Sequence, residues 1–227
     1  MKKETISILI QSKGRMAPHV EKIFKKNKLK IIKKGERSLT GVVKGHPSIK
    51  IIYMNTSEIV EALAKNVGDI GISGKDLFYE SEPNIQSKVS IAKEYNWGKS
   101  NLCVFIDQNW CDCINSADLE DISYEFYNKK KRLMRCATKF KNLTREWFNS
   151  KGITQYELIN VKGAIEGTLA SNISDMCTDL STTGETARQN NLKSIDVVLK
   201  SSACLFYSKK SIKKKGVKKL LRLLSKD

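Results

Sequence analysis

The stretch Leu133–Val161, LMRCATKFKNLTREWFNSKGITQYELINV, decides the fold class. It begins with a short apolar run over 133–138, continues with a helical pattern over 143–150 and ends with a second apolar run over 156–161. A strand, a helix and a strand in this order are typical of a βαβ unit, in which both strands lie parallel in one sheet. The stretch therefore predicts an α/β protein.

The same alternation continues through most of the chain. Further strands are predicted over Ile6–Gln11, Ile49–Met54, Val67–Ser73, Leu102–Ile106 and Met176–Leu180, and further helices over Pro18–Lys26, Ser57–Lys65, Ala117–Phe126 and Ala164–Ala170. Residues 80–101 are polar and irregular, which is typical of a crossover between two lobes. From 211 onward, leucine and valine recur at helical spacing, which predicts a helix that docks on the protein or forms an interface.

The composition leaves the class of partner open. Lysine and arginine number 41 against 24 acidic residues, which gives a net charge of +17 among 227 residues. Such a charge suits nucleic acid, a membrane surface or a polyanionic small molecule, but lysine runs such as 129–131 are usually solvated surfaces. The chain lacks a recognisable nucleic-acid-binding motif, and its aromatic residues are not interleaved with the basic runs, so we expect no nucleic-acid partner.

Location and redox state follow from two further features. The first residues lack the apolar run of a signal peptide, and no stretch approaches the roughly 20 apolar residues of a membrane span, so we expect a cytoplasmic protein with no membrane partner. The six cysteines are scattered and only two histidines accompany them, which argues against a zinc site. We expect reduced thiols.

The segment TDLSTTGETARQNN, residues 178–191, predicts a binding loop for phosphate. Its hydroxyl groups precede a helix expected near Glu185, and hydroxyls combined with the N–H groups of a helix start can hold phosphate. Aspartates cannot bind phosphate, so Asp175 and Asp179 would hold ribose hydroxyls or a metal ion. The alternative is a capping box between Thr182 and Glu185 with no ligand, and the spacing alone does not decide between the two.

Four further polar loops follow predicted strands, where open α/β sheets bind their ligands. They are Gln11–Arg15, Gly35–Leu39, Gly74–Asp76 and Lys139–Arg145. The third is not a Walker-type phosphate loop, because it lacks the upstream glycine and has Asp76 where serine or threonine belongs. Each loop alone is compatible with an ordinary turn, but together these cationic and glycine-containing loops favour a substrate with several phosphates.

Six motifs resemble the ATP phosphoribosyltransferase family of histidine biosynthesis. They are SKGR (12–15), RSL (37–39), DIGISGKDL (69–77), ATKFKNLTREWF (137–148), GAIEG (163–167) and DMCTDLSTTGET (175–186). They match in order and spacing from about Ser7 to about Leu205. The length resembles the short form of the catalytic subunit, which lacks the regulatory domain of the long form.

The resemblance implies a fold, a reaction and partners. The fold is two α/β lobes of the type II periplasmic-binding-protein kind with the active site in the cleft between them; we expect 1–98 with 195–227 in one lobe and 99–194 in the other. The reaction transfers phosphoribose from phosphoribosyl pyrophosphate to N1 of ATP and releases pyrophosphate, with Mg²⁺ bound mainly through the substrate phosphates. The implied assemblies are a homodimer and a hetero-oligomer with a regulatory subunit resembling histidyl-tRNA synthetase.

The resemblance also implies roles for individual residues. The residues implied to bind phosphoribosyl pyrophosphate are Glu166, Asp175, Asp179, Ser181, Thr182, Thr183, Gly184, Glu185 and Thr186. The residues implied to bind ATP are Ser12, Gly14, Gly74, Lys75 and Asp76. Lys13, Arg15 and Arg37 are the implied catalytic cations, which would neutralise the departing pyrophosphate. No general base is required, because N1 of adenine is unprotonated at neutral pH.

The chain departs from the family pattern at Asn55, at Ala187 and Gln189 just after the predicted phosphate loop, and at Glu94–Gly98. Asn55 stands where some members carry an arginine, so we expect this pyrophosphate contact to be absent or supplied by another residue. The segment Glu94–Gly98, EYNWG, replaces a more apolar turn.

The first alternative function is a non-catalytic bilobal protein that binds a phosphorylated small molecule. The second is a different phosphoribosyltransferase, which would share the hydroxyl loop but not the other five motifs.

Overall fold

The computed structural model describes residues 4–33, 35, 38–161 and 163–226. In chain order its elements are β1 (Ile6–Ile10), α1 (Ala17–Lys26), β2 (Ile31–Lys33), β3 (Thr40–Val43), β4 (His46–Tyr53), α2 (Thr56–Ala64), β5 (Ile70–Gly74), α3 (Lys75–Glu80), α4 (Pro83–Gln86), β6 (Val89–Glu94), β7 (Ser100–Asp107), α5 (Ser116–Lys130), β8 (Met134–Thr138), α6 (Lys141–Ser150), β9 (Tyr156–Asn160), α7 (Glu166–Ala170), β10 (Met176–Ser181), α8 (Glu185–Gln189), β11 (Leu192–Ser201), β12 (Ala203–Ser208), a 3₁₀ turn (Lys209–Lys213) and α9 (Val217–Leu224). No helix in these ranges is long and apolar enough to cross a membrane.

The chain forms two compact units. The first combines Met1–Lys99 with Ser202–Asp227, and the second is the continuous segment Ser100–Ser201. The second boundary expected from the sequence, after residue 194, lies inside β11. This strand pairs along β7 of the second unit over its whole length, so the observed boundary follows its last residue.

The first unit contains a seven-stranded sheet in the order β2-β3-β4-β1-β5-β12-β6. Strand β1 lies parallel to β4 and β5, whereas β12 lies antiparallel to β5 and β6. Four of these strands, β2, β3, β6 and β12, were not predicted. The expectation that residues 80–101 are irregular was wrong, because α4 and β6 lie there; in β6 only Val89 is fully buried, so the sequence shows no clear alternation.

The core of the first unit includes the C-terminal helix. Val20, Ile23 and Phe24 of α1 pack in the same apolar cluster as Leu220 and Leu224 of α9. The helix predicted at the end of the chain is therefore part of the core of this unit.

A buried carboxylate anchors the segment that leads to α9. Asp69 accepts hydrogen bonds from the backbone N–H of Ser7 at 2.8 Å and from the hydroxyl of Ser211 at 2.5 Å. The Nζ atom of Lys214 lies 2.8 Å from the same carboxylate. These contacts join the start of β1 to a segment more than 140 residues later in the chain.

The second unit contains a five-stranded sheet in the order β11-β7-β10-β8-β9. Strands β10, β8 and β9 are parallel, as the stretch Leu133–Val161 predicts for β8 and β9, and β7 lies antiparallel to both its neighbours. Phe126 of α5 and Trp147 and Phe148 of α6 complete one apolar cluster. All six cysteines are free thiols, and five of them are buried.

Candidate active site

Two of the loops singled out in the sequence lie side by side in the first unit. The carboxyl ends of parallel strands meet at one edge of a sheet, and β1 lies parallel to β5. The loop Ser12–Arg15 follows β1, and the turn Gly74–Asp76 follows β5 at this edge. The hydroxyl of Ser73 donates to the backbone carbonyl of Thr56 at 2.8 Å, which ties the end of β5 to the start of α2.

The loop Ser12–Arg15 is exposed at all four positions. Gly14 adopts a φ of +96°, which favours glycine there. Gln11, the buried residue before the loop, has its amide oxygen 3.0 Å from the N–H of Met16 and 2.8 Å from the N–H of Ala17 when that oxygen faces α1. The loop thus presents two cationic side chains beside a helix whose first turn carries no acidic residue.

The turn Gly74–Asp76 requires its glycine for steric reasons. A Cβ atom on Gly74 would lie 2.4 Å from Oδ1 of the buried Asp76. Lys75 faces Glu94, whose Oε2 lies 3.0 Å from its Nζ. This hydrogen bond raises the pKa of Lys75 and lowers the pKa of Glu94. Sequence reasoning gave Glu94 no role, although it neutralises a residue expected to contact ATP.

Arg37, the third implied catalytic cation, lies outside the described residues, as does the side chain of Glu166, the first residue of α7.

The hydroxyl loop of the second unit follows β10. The hydroxyl of Ser181 accepts the N–H of Gly184 at 3.0 Å, and Gly184 adopts a φ of +76°. Thr182, Thr183 and Thr186 are exposed. The hydroxyl of Ser181 therefore helps to hold the loop in shape, and the hydroxyl of Thr183 accepts the N–H of Glu185 at 3.4 Å.

The capping box between Thr182 and Glu185 is absent. Gly184, which has no side chain, is the capping residue before α8, so Thr182 does not stand at the capping position. The carboxylate of Glu185 instead lies 2.8 Å from Nη2 of Arg188, and the hydrogen bond from Arg188 lowers the pKa of Glu185. This alternative explanation of the loop was wrong.

Three buried threonines lie beneath the hydroxyl loop. The hydroxyl of Thr178 in β10 lies 2.6 Å from that of Thr138 in β8 and 2.7 Å from that of Thr144 in α6. The hydroxyl of Thr138 also accepts the N–H of Phe140 at 2.9 Å. These hydrogen bonds fix the end of β8 and the start of α6 against the middle of β10. Threonines at otherwise apolar strand positions were the available sequence signal, and sequence reasoning did not use it.

The assignment of Asp175 to the phosphoribosyl pyrophosphate site requires correction. Asp175 directly precedes β10, so it lies at the opposite end of this strand from Ser181. Its carboxylate accepts two hydrogen bonds from Arg132 and further hydrogen bonds from Arg135. Burial alone would raise the pKa of Asp175, but these hydrogen bonds hold it well below its ordinary value. Asp175 is an ion-pair residue of the fold.

The described part of the site offers few ligands for a metal ion. Among the described residues, no three His, Cys, Asp or Glu side chains converge as a metal site. Near the hydroxyl loop Asp179 supplies one carboxylate, which accepts the N–H of Leu180 at 2.8 Å.

Comparisons with known proteins agree with one another. The family model described as ATP phosphoribosyltransferase (HisG) matches residues 55–226. An ATP phosphoribosyltransferase of Mesorhizobium japonicum is 35% identical over 210 residues, which cover 91% of this chain and 90% of that protein.

The solved structures support the fold. The ATP phosphoribosyl transferase (HisG:HisZ) complex from Thermotoga maritima has a chain of 22% identity with a TM-score of 0.76, covering 97% of this chain and 96% of that one. The substrate-binding protein of an amino acid ABC transporter has 13% identity and a TM-score of 0.54 over 97% of this chain and 90% of its own. The two-lobed fold of the type II periplasmic-binding-protein kind, expected from the sequence, is confirmed.

Proposed function

The chain belongs to the ATP phosphoribosyltransferase family, and from this premise we propose which of its residues bind the two substrates. The reaction transfers the phosphoribosyl group of phosphoribosyl pyrophosphate to N1 of ATP and releases pyrophosphate, the first step of histidine biosynthesis. The observation that carries the assignment is the hydroxyl loop Asp179–Thr186, whose exposed threonines and left-handed glycine follow the carboxyl end of a parallel strand.

The hydroxyl loop would bind phosphoribosyl pyrophosphate. The hydroxyls of Thr182, Thr183 and Thr186 would donate to the 5′-phosphate, and Asp179 would accept hydrogen bonds from ribose hydroxyls. Ser181 acts on the loop itself, since its hydroxyl accepts the N–H of Gly184. Glu185 is engaged by Arg188, so we assign it to the shape of the loop.

The edge of the first sheet would bind ATP and the departing pyrophosphate. Lys13 and Arg15 bring positive charge to the exposed loop after β1, and Arg37 is proposed as a third cation. The backbone of Ser12, Gly14 and Gly74 would allow close approach of the phosphates. Lys75 and Asp76 would act from the neighbouring turn, with the charge of Lys75 moderated by Glu94.

The chemistry needs placement and charge more than acid–base groups. The bond from the ribose C1 atom to the pyrophosphate oxygen breaks, and a bond from C1 to N1 of adenine forms. Positive charge develops on the ribose and negative charge on the leaving group. Lys13 and Arg15 would stabilise the latter, and correct placement of N1 supplies much of the remaining rate. Bound Mg²⁺ would further neutralise the pyrophosphate.

The proposal includes partners and a location. The similar chain from Thermotoga maritima is part of a HisG:HisZ complex. We propose a corresponding hetero-oligomer with a regulatory subunit resembling histidyl-tRNA synthetase, a homodimer of this chain, and a cytoplasmic location.

A steady-state assay tests the function. The purified chain is mixed with ATP, phosphoribosyl pyrophosphate and Mg²⁺, with inorganic pyrophosphatase to remove product, and phosphoribosyl-ATP is followed by ultraviolet absorbance. Turnover by the chain alone supports the proposal. Turnover that appears only after the regulatory subunit is added also supports it. Binding of substrates without turnover in both conditions favours the non-catalytic binding protein, a function known for the fold of the ABC-transporter protein.

A further inference from the structure

The segment Glu94–Gly98 contacts one loop of the first unit that is proposed to bind ATP, the turn Gly74–Asp76, and it contacts residues that directly follow the other loop, Ser12–Arg15. It begins with Glu94, the last residue of β6, and ends just before the chain enters the second unit at Ser100. The resemblance to the family gave it no role, since the sequence EYNWG departs from the family pattern at this place. Its contacts run in two directions.

On one side, the segment contacts the turn Gly74–Asp76 through Glu94. Its carboxylate accepts hydrogen bonds from Nζ of Lys75 at 3.0 and 3.2 Å and from the hydroxyl of Ser202 at 2.8 Å. The backbone N–H of Lys75 donates to the carbonyl of Ser202 at 2.9 Å. The turn is thus tied to the segment through a side chain and through the start of β12.

On the other side, the segment contacts the start of α1 through Trp97. Its indole stacks on the imidazole of His19, with ring centroids 4.9 Å apart and an angle of 7° between the planes. The indole also stacks on the buried ring of Tyr95 at 5.0 Å. The hydroxyl of Tyr95 donates to the carbonyl of Leu224 at 2.9 Å, so the stack is anchored to α9 in the core.

Gly98 brings the backbone of the segment against the residue that follows Arg15. A Cβ atom on Gly98 would lie 3.4 Å from Sδ of Met16 and 3.1 Å from Cβ of Ala203. Its φ of +68° adds a second reason for glycine at this position. Met16 and His19 therefore both rest on the segment.

The loop Ser12–Arg15 depends on such anchors. None of its three side chains is buried. The residues on either side are anchored: the buried Gln11 precedes the loop, and Met16 and the first turn of α1 follow it. We propose that Trp97 is a positioning residue for ATP: through its stack with His19 it fixes the start of α1, and thereby the loop that carries Lys13 and Arg15. This inference rests on the proposed function only for the identity of the ligand.

Four variants test the inference. Trp97→Leu removes the stack, Trp97→Phe keeps an aromatic ring against His19, and His19→Ala removes the exposed partner without touching the core. Trp110→Leu is the matched control, because Trp110 is also half-buried but packs on Phe126 in the second unit. The dissociation constant for ATP with Mg²⁺ is measured by titration calorimetry, and KM values for both substrates are measured where product forms.

We expect Trp97→Leu to weaken ATP binding about tenfold and His19→Ala about threefold, as loss of an aromatic stack allows. Trp97→Phe and Trp110→Leu should bind ATP as the unchanged chain does, and KM for phosphoribosyl pyrophosphate should stay constant in all four. If Trp97→Leu fails to fold, the dissociation constant of His19→Ala for ATP tests the inference by itself.

Equal ATP affinity in Trp97→Leu, His19→Ala and the unchanged chain would overturn the inference, as would equal weakening by Trp110→Leu. Absence of ATP binding by the unchanged chain would overturn it together with the loop assignment. If the unchanged chain binds ATP but forms no product, even with the regulatory subunit, the proposed function fails while the ATP affinities still decide the role of Trp97.

Discussion

The carboxylate of Asp175 lies 2.7 Å from Nη1 of Arg132, at the end of β10 that points away from the hydroxyl loop. Asp179, only four residues later, lies within β10 and is the first residue of that loop. Two aspartates that look equivalent in the motif DMCTDLSTTGET thus have different surroundings. Their substitutions should separate stability from substrate binding.

We expect Asp175→Asn to lower the free energy of unfolding by about 2 kcal/mol, because it leaves Arg132 and Arg135 without their charged acceptor. KM for phosphoribosyl pyrophosphate should not change. Asp179→Asn should raise this KM about tenfold, the cost of a hydrogen bond to a charged group, with little effect on stability. Denaturant unfolding and steady-state kinetics measure both. The reverse pattern would return Asp175 to the substrate site.

The ion pair of Asp175 also predicts a pH dependence. The pKa of Asp175 is depressed in the folded protein, whereas in the unfolded chain it is about 3.9. Its contribution to stability is therefore complete above about pH 5 and is lost as the pH falls through 4 towards the folded pKa. Urea unfolding between pH 6 and about 3 should show a steeper loss of stability in the unchanged chain than in Asp175→Asn. Parallel curves for the two proteins would contradict this account.

Gly184 and Gly152 offer a matched pair for the phosphate loop. Both lie in the second unit with φ near the same value, +76° and +74°, and both have room for a Cβ atom. Each change to alanine should cost about 1 kcal/mol of backbone strain. Only Gly184→Ala should also raise KM for phosphoribosyl pyrophosphate, as should Thr183→Val, which removes a proposed phosphate donor. An unchanged KM in both variants would remove the loop from the site.

The exposed cations of the first unit should act on turnover. We expect Arg15→Ala or Lys13→Ala to lower kcat by about 10²-fold, a typical cost of losing one group that stabilises charge in the transition state. The same applies to Arg37→Ala. Lys22→Ala is the control, because Lys22 is an exposed lysine of α1 away from the loop. A kcat like that of the Lys22 variant would exclude the tested cation from the catalytic role.

Asp69 should contribute strongly to stability. Its carboxylate is buried and joins Ser7, Ser211 and Lys214, so Asp69→Ala should lower the free energy of unfolding by about 3 kcal/mol. Glu61→Ala removes an exposed pair with Lys65 and should cost less than about 0.5 kcal/mol. Guanidinium unfolding measures the two changes. Similar values would show that the Asp69 contacts add little to stability.

Part of the fold was predictable because some elements have regular patterns. Strands β1 and β8 are buried at four of five positions each, β4 buries every second residue from Ile49 to Tyr53, and α1 carries apolar residues on one side, so their positions follow from the sequence. Strand β11 is different, since two register shifts against β7 interrupt the alternation of buried and exposed residues. Strand β2 has three residues and none of them is buried.

The site likewise has features that a local sequence pattern predicts and features that depend on the tertiary fold. The hydroxyl loop was predictable because its glycine and hydroxyl residues follow one another in the sequence. Phosphate binding requires such backbone and donor groups close together in one loop. The pairing of Arg132 with Asp175 joins residues 43 positions apart, and that of Lys75 with Glu94 joins residues 19 apart. Such partners depend on the tertiary fold, so no local pattern indicates them.

The interrupted first unit has a consequence for biosynthesis. Strand β12 lies between β5 and β6, so the sheet that begins with β1 lacks an inner strand until residues 203–208 have left the ribosome. The second unit is contiguous and is complete on the nascent chain before that point. Domains generally fold from the amino terminus onward during translation. Here the order is reversed: the segment synthesised second can fold first, while the amino-terminal part exposes apolar strands to chaperones until the end of synthesis.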